Sequence, residues 1–459
     1  MDLRMRLARH FSKKQKRRLS PTQIIALVFA ALILLGACLL SLPAASRSGE
    51  SCGFLKALFT ATSATCVTGL VMFDTWSQFN GFGQVVIISL IEIGGLGFMS
   101  AAAIVIFLLR KKVGLRQKMV MAQALSLNEM DGVVRLQKWV IFGSLGVQFM
   151  GAMVLFIRFL PEFGWWTAVK WGVFHAISAF CNAGFDIFGQ IAPGMSIITF
   201  NHDPIVMITL MALVTLGGLG FLVWEELVTK HSWKKFSVYT KLVLLASAVL
   251  TLGGALLICL VEWNNPATFG GMTIPQKILN GFFQSVTLRT AGFASVDQGA
   301  LTGAGKGISM MLMLVGGSSG STAGGAKTVT MVVLILFVLN RARGRDTVTV
   351  FKRSISNDKV MDAMTIVSIM LGLAVSGAVF ICATSAVGFT DALYETVSAI
   401  ATVGLTAGVT TSLSVPAQIL IIIYMYFGRV GVLTISLGFL MGNKVEERFR
   451  YAQTNLLIG

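Results

Sequence analysis

Stretches of about twenty residues without a single charge constrain this chain more than any other feature. Residues 24–42 and 242–261 are two of them. About 20 apolar residues wound as a helix cross the roughly 30 Å hydrocarbon core of a bilayer. Within that core every amide and carbonyl must find a partner, which restricts spanning segments to helices or closed barrels. The composition agrees: 55% of the 459 residues are hydrophobic and 12% charged, about half the charge of a soluble domain. The chain reads as an all-α polytopic membrane protein.

A net charge of +17 raises the prospect of nucleic acid, but its distribution answers to topology. Eight basic residues fall within positions 1–20, seven within 110–138, four within 230–241, six within 341–359 and three within 444–450, so 28 of the 37 lie in blocks between apolar runs. Blocks that recur after each pair of apolar segments lie on one side of the membrane. By the positive-inside rule that side is cytoplasmic and holds both termini. The lipid bilayer is thus the partner of the basic surface, and nucleic acid is not expected. The run 24–42 is too long for the core of a signal peptide and reads as a first span; Ser41–Ala45 merely resembles a cleavage site. Cys38, Cys52, Cys66, Cys181, Cys259 and Cys382 show no metal-site spacing and read as free thiols.

One short pattern occurs four times. The sequences ATSATCVTGL, AFCNAGF, VTLRTAGF and AIATVGL place Gly69, Gly184, Gly292 and Gly404 at intervals of 115, 108 and 112 residues. Each follows an apolar segment too short to span and precedes a longer one. Internal repeats in a membrane protein commonly surround a shared site. The expected helices are 21–42, 54–65 and 83–110 in the first copy, and 136–160, 167–181 and 203–229 in the second. The third copy has 237–261, 275–288 and 305–340, and the fourth 361–383, 390–401 and 415–441. The expectation is eight full spans and four re-entrant segments, divided as a basic tail 1–20 and repeats 21–112, 113–235, 236–345 and 346–459.

Non-helical backbone at membrane depth is tolerated where it lines a watery cavity or is buried in protein. A dehydrating cation needs oxygens in place of its water, and four loops of backbone carbonyls supply them in potassium filters. Glycine permits the required backbone angles. Threonine hydroxyls nearby, Thr68, Thr290 and Thr402, add oxygens, with Asn182 in the second loop.

These residues resemble the TrkH/TrkG/KtrB superfamily of potassium uptake subunits over nearly the whole chain. The likeness is greatest to the KtrB-type subunit of Ktr systems, because the first span follows the basic tail without an added hairpin. The resemblance implies four pseudo-symmetric helix–pore loop–helix repeats around one central pore. Its implied filter is Val67, Thr68 and Gly69; Asn182, Ala183 and Gly184; Thr290, Ala291 and Gly292; Thr402, Val403 and Gly404, with K+ as the transported ion. Sodium-preferring relatives carry serine in the first loop, where this chain has Gly69. The resemblance further implies a homodimer in a bacterial plasma membrane and a cytosolic KtrA-like nucleotide-binding ring. ATP or ADP would be that partner's ligand, and no organic cofactor is expected on this chain.

A glycine-rich run interrupts the span 305–340. Its Gly316, Gly317, Ser318, Gly320, Ser321, Thr322, Gly324 and Gly325 cannot sustain a helix, since each glycine costs about 1 kcal/mol relative to alanine. The resemblance makes residues 316–326 an intramembrane gating loop. The run nearly matches a phosphate-binding loop, but Ala326 precedes Lys327 and no strand–helix context surrounds it. An intramembrane cation normally faces a pore or a partner. Lys327 either snorkels to the interface or serves the gate; Arg429 matches a gating position of the family. Glu92 is a possible counter-charge, or faces an outer vestibule. Arg289 is expected to brace the third loop. The motifs GGLGF at 94–98 and 217–221 are expected to permit tight helix packing. Asp74, Asp186, Asp297 and Asp391 fall on the outer side, as solvated loop ends or as a means of concentrating cations. Rival readings are a sodium- or proton-coupled potassium symporter and a sodium-permeable channel of the same fold. No triad, metal cluster or intact phosphate loop points to an enzyme.

Overall fold

The computed structural model describes residues 21–97, 114, 118–119, 132–345 and 347–431. The basic tail 1–20, most of the 110–131 block, the 444–450 block and the expected helical segments 98–110 and 432–441 lie outside the described residues. Four units follow one another. The first is α1 (Pro21–Ser41), α2 (Phe54–Thr65) and α3 (Gly81–Leu96). The second has an outer and a short helix on either side of a break at Gly164, together labelled α4 (Val133–Phe180), followed by α5 (Pro204–Leu219) and α6 (Phe221–Lys230). The third is α7 (Val238–Glu262), α8 (Ile274–Thr287), α9 (Gly303–Leu314) and α10 (Thr328–Ala342). A two-stranded hairpin, β1 (Val348–Val350) antiparallel to β2 (Arg353–Ile355), leads to α11 (Asn357–Thr384), α12 (Phe389–Ile400) and α13 (Val415–Val430).

Polar caps start these helices where the apolar runs begin. The Asn80 side chain accepts from the amides of Phe82 and Gly83, Asp203 from Ile205 and Val206, and Ser237 from Thr240. Such caps satisfy amides that a helix start leaves unpaired. The long helices α1, α4, α7 and α11 are long and apolar enough to span. Their outward faces carry exposed apolar side chains, among them Phe142 at 71%, Val249 at 67% and Leu260 at 68%. An apolar surface of this extent belongs in lipid.

The outer and short helices of the second unit are separate, as expected: Gly164, at φ 74° and ψ 170°, breaks the helical path between them, and Gly172 packs back against the Ala152 carbonyl. One expectation is corrected. The closing helices are not continuous among the described residues: helix α3 ends at Gly97 (φ 82°), α5 at Gly220 (φ 93°) and α13 at Gly431 (φ 94°), and α5 and α6 meet at 95°. Left-handed φ ends a right-handed helix, and glycine adopts it with little strain. In the third unit the interruption is the whole loop 315–327.

The units close into a ring because each closing helix packs on the short helix region of the next unit: α3 on α4, α5 on α8, α9 on α12 and α13 on α2. Small residues also let these closing helices approach the short helices of their own units. A Cβ on Gly94, Gly217 or Gly428 would strike the last carbonyl of its own unit's short helix, at Thr65, Phe180 or Ile400. The glycine motifs therefore serve close packing, as expected.

Candidate ion-conduction site

The short helices α2, α8 and α12, and the end of α4, converge on the ring axis, and a loop leaves each one. All four loops use one backbone pattern. The residue two before each glycine is left-handed: Val67 at φ 56°, Asn182 at 60°, Thr290 at 72° and Thr402 at 52°. The glycines follow with φ 103° at Gly69, 68° at Gly184, 84° at Gly292 and 91° at Gly404. Left-handed non-glycine residues are strained by roughly 1–3 kcal/mol and persist where surroundings over-determine them. The surroundings do so here. The amides of Thr68, Ala183 and Val403 donate to the carbonyls of Ser63, Ser178 and Ser398, each at 2.8 Å, and Ala291 donates to Thr287 at 2.9 Å.

The loops meet carbonyl to glycine. A Cβ on Gly69 would lie 2.5 Å from the Ala183 oxygen, one on Gly184 2.7 Å from that of Ala291, and one on Gly292 2.6 Å from that of Val403. The Gly404 position abuts the Thr68 oxygen, which closes the circle. The carbonyls of Thr68, Ala183, Ala291 and Val403 therefore stand around one axis, and any side chain at the glycines would collide with them. The buried hydroxyls of Thr65, Thr68 and Thr402 make no hydrogen bond to protein, leaving their oxygens available. These oxygen donors suit a weakly hydrated monovalent cation.

Above the loops lies a cavity of about 580 Å³ whose lining includes all four glycines and the carboxylates Asp74, Asp186 and Asp297. Half-buried Asp186 has its carboxyl pushed up to about 7, first by burial and then by the charge of Asp74. Asp391 stands apart, paired with Lys306 at 2.7 Å.

Below the loops the segment 315–327 packs on the second and fourth units. The Gly316 amide donates to Ala326 at 2.8 Å, while Ser318 and Thr322 donate to Gly218 and Gly217 at 3.0 and 3.2 Å. The Thr322 hydroxyl reaches the Phe180 carbonyl at 3.0 Å, and the Tyr239 hydroxyl reaches Ser319 at 2.9 Å. A Cβ on Gly324 would strike the Thr402 side chain, and one on Gly325 would lie 2.9 Å from the Ala401 oxygen. Gly320 and Gly325 take φ 68° and 65°, and the Ser321 hydroxyl donates to Ser318 at 2.6 Å. Gly317 packs beside Ala323 and the Gly218 carbonyl. The loop is thus seated directly beneath the fourth glycine loop.

Arg429 ties the loop to a neighbouring helix. Its guanidinium donates to the Thr322 carbonyl, to Gly94 and, at 2.9 Å, to Gly95. Lys327 folds back to donate to Ala323 at 2.8 Å. Glu92 is neither in the outer cavity nor paired with Arg429: Gln148 donates to it at 3.0 Å and the Cys181 thiol at 3.2 Å. Half-buried Arg289 donates to the Ser247 hydroxyl on α7 at 3.2 Å.

Sequence reasoning missed the second tier behind the loops. The hydroxyls of Ser63 and Ser398 accept from the Gly69 and Gly404 amides at 3.0 and 3.1 Å. Those of Ser178 and Thr287 donate to the Phe185 and Phe293 carbonyls at 2.6 and 2.7 Å. Buried His175 faces the Trp171 carbonyl through Nδ1 at 2.8 Å and accepts the Ile187 amide on Nε2 at 3.2 Å. This fixes a neutral ring with its proton on Nδ1. Buried Glu395 takes the Thr410 hydroxyl. The available signal was a hydroxyl five or six residues before every glycine.

Fold and site together define a four-repeat helical membrane protein whose re-entrant loops close a carbonyl-lined axis. The TrkH cation transport protein family matches residues 5–448, and the chain belongs to that family. It is 39% identical to the potassium/sodium uptake protein NtpJ of Enterococcus hirae, covering 97% of this chain and 99% of that one. It is 36% identical to the Ktr system potassium uptake protein B of Bacillus subtilis, covering 96% and 97%. Among solved structures, the potassium transporter TrkH from Vibrio parahaemolyticus matches with a TM-score of 0.71 at 16% identity, over 94% of this chain and 86% of that one. That last likeness is one of fold.

Proposed function

We propose that this chain is the potassium-translocating subunit of a bacterial uptake system. The observation that carries the reading is the closed ring in which Thr68, Ala183, Ala291 and Val403 carbonyls meet the four glycines. Potassium enters from the acidic outer cavity and exchanges water for these oxygens. The filter comprises the twelve residues expected from sequence, from Val67 to Gly404. Flow is gated by the loop 316–326 with Lys327 and Arg429, because a segment lying under the filter and tied to two neighbouring helices must shift before an ion can pass.

The Ktr names of the relatives support a multi-component system. We assign the partner as a KtrA-like nucleotide-binding ring that docks on the basic cytoplasmic face and carries ATP or ADP, with the chain itself a homodimer in the plasma membrane. Both termini are cytoplasmic. Sodium passage is a second reading, favoured by the name of the Enterococcus relative and opposed by Gly69 in the first loop.

The test is ion flux into liposomes holding the purified chain. Potassium uptake that follows its own gradient, exceeds sodium uptake and needs no sodium or proton gradient is the expected result. Uptake that stops without a sodium or proton gradient would establish the coupled symporter instead, and equal rates for both ions would establish the sodium-permeable channel.

A further inference from the structure

The ring of carbonyls is fourfold, but its anchoring is not. In the first and fourth loops the hydroxyl behind the filter, Ser63 or Ser398, accepts the glycine amide. In the second and third loops Ser178 and Thr287 act as donors, to the carbonyls of Phe185 and Phe293 one residue beyond the glycine. A carbonyl that already accepts a hydrogen bond from the supporting helix is a weaker partner for a passing ion. The second and third units are neighbours, in contact through α5 and α8. Both engaged carbonyls therefore lie on one side of the mouth.

From this asymmetry we infer that Ser178 and Thr287 are specificity-determining residues for ion entry. By engaging the Phe185 and Phe293 oxygens, they leave the ion one complete four-oxygen ring with a two-sided mouth above it. The arrangement limits how tightly a cation is held on entry, and a conducting site must also release its ion. His175 strengthens the effect in the second loop, because it fixes the Ile187 amide two residues beyond Phe185. The inference rests on the four loops being an ion filter.

The experiment compares the full chain in liposomes with three double variants: Ser178→Ala with Thr287→Val, the conservative Ser178→Thr with Thr287→Ser, and Ser63→Ala with Ser398→Ala. Removing the two donors frees the Phe185 and Phe293 carbonyls for the ion. The apparent KM for potassium should fall at least threefold and the potassium-to-sodium ratio should rise. The hydroxyl-exchanging pair should keep wild-type values, and loss of Ser63 and Ser398 should lower the ratio by unseating the glycines. An unchanged or raised KM in the first pair overturns the inference, as does an equal shift in the conservative pair. Potassium-dependent protection against thermal unfolding supplies a second readout, and Ser178→Ala alone replaces the double variant should that fail to fold. If the unaltered chain carries no potassium and gains no protection from it, the filter reading has failed. If the unaltered chain conducts and the first pair matches it, this inference alone has failed.

Discussion

Placing a single β-carbon at Gly69 tests the carbonyl ring most directly. The position has φ 103°, and an added Cβ would sit 2.5 Å from the Ala183 oxygen and 3.3 Å from the Gly404 Cα. Ordinary carbon contacts lie near 3.5–4.0 Å, so the neighbour must yield by about 1 Å. Backbone strain adds roughly 1–3 kcal/mol. The cheapest relief is rotation of the Ala183 peptide away from the axis, which removes one of the four oxygens that replace potassium's water. A loss of about 1.4 kcal/mol in discrimination lowers the potassium-to-sodium ratio about tenfold. Both Gly69→Ser and Gly69→Ala carry the offending carbon, so both should show the drop, measured as paired potassium and sodium influx into liposomes. A drop with serine alone would point to the added hydroxyl and refute the steric argument. A ratio unchanged in both would refute the ring itself. Gly404→Ala should be at least as damaging, because its Cβ meets the Thr68 oxygen more closely.

Other perturbations follow from the same geometry. Arg429→Gln removes charged donors to Thr322, Gly94 and Gly95, each worth about 1.5–3 kcal/mol. Flux without any cytosolic partner should rise about tenfold or more, and unchanged basal flux would argue against the loop as the gate. Neutralising Asp74, Asp186 and Asp297 together to Asn should raise the apparent KM for potassium several-fold at low ionic strength. That difference should shrink as salt screens the outer cavity; a shift independent of salt would contradict a steering role. His175→Leu leaves the buried Ile187 amide without its acceptor and should lower stability by about 1–3 kcal/mol, read as a lower Tm in detergent. An unchanged Tm would show that the second loop does not depend on this brace.

Much of the architecture was legible because membranes impose simple rules. The short helix Phe54–Thr65 lies where apolar length and a following glycine put it, and the first helices of all four units begin and end near their expected bounds. The closing helices were misjudged, since hydropathy counts apolar residues and is blind to the direction of the backbone. Gly97, Gly220 and Gly431 lie within apolar stretches, and only their positive φ reveals that the helical path breaks there. The break inside α4 was legible, because Pro161 and Gly164 mark a boundary and Gly164 leaves the helical region there.

The candidate site divides along the same line. Repetition alone singled out Gly69, Gly184, Gly292 and Gly404, because the need for left-handed backbone leaves a mark at one position in each copy. The glycine run before Lys327 was equally visible, since no helix holds so many. The sequence by itself therefore determined a helical membrane protein of four repeats, each with a re-entrant loop, and a broken third unit. Only the tertiary structure decided which oxygens face one another, that Glu92 binds Gln148 and Cys181 instead of Arg429, and that three carboxylates reach the outer cavity while Asp391 pairs with Lys306. Chain propensities and apolar lengths are local and can be read along one strand of text. Hydrogen bonds between residues a hundred positions apart depend on how the four units close around their axis, and no window of sequence contains that angle.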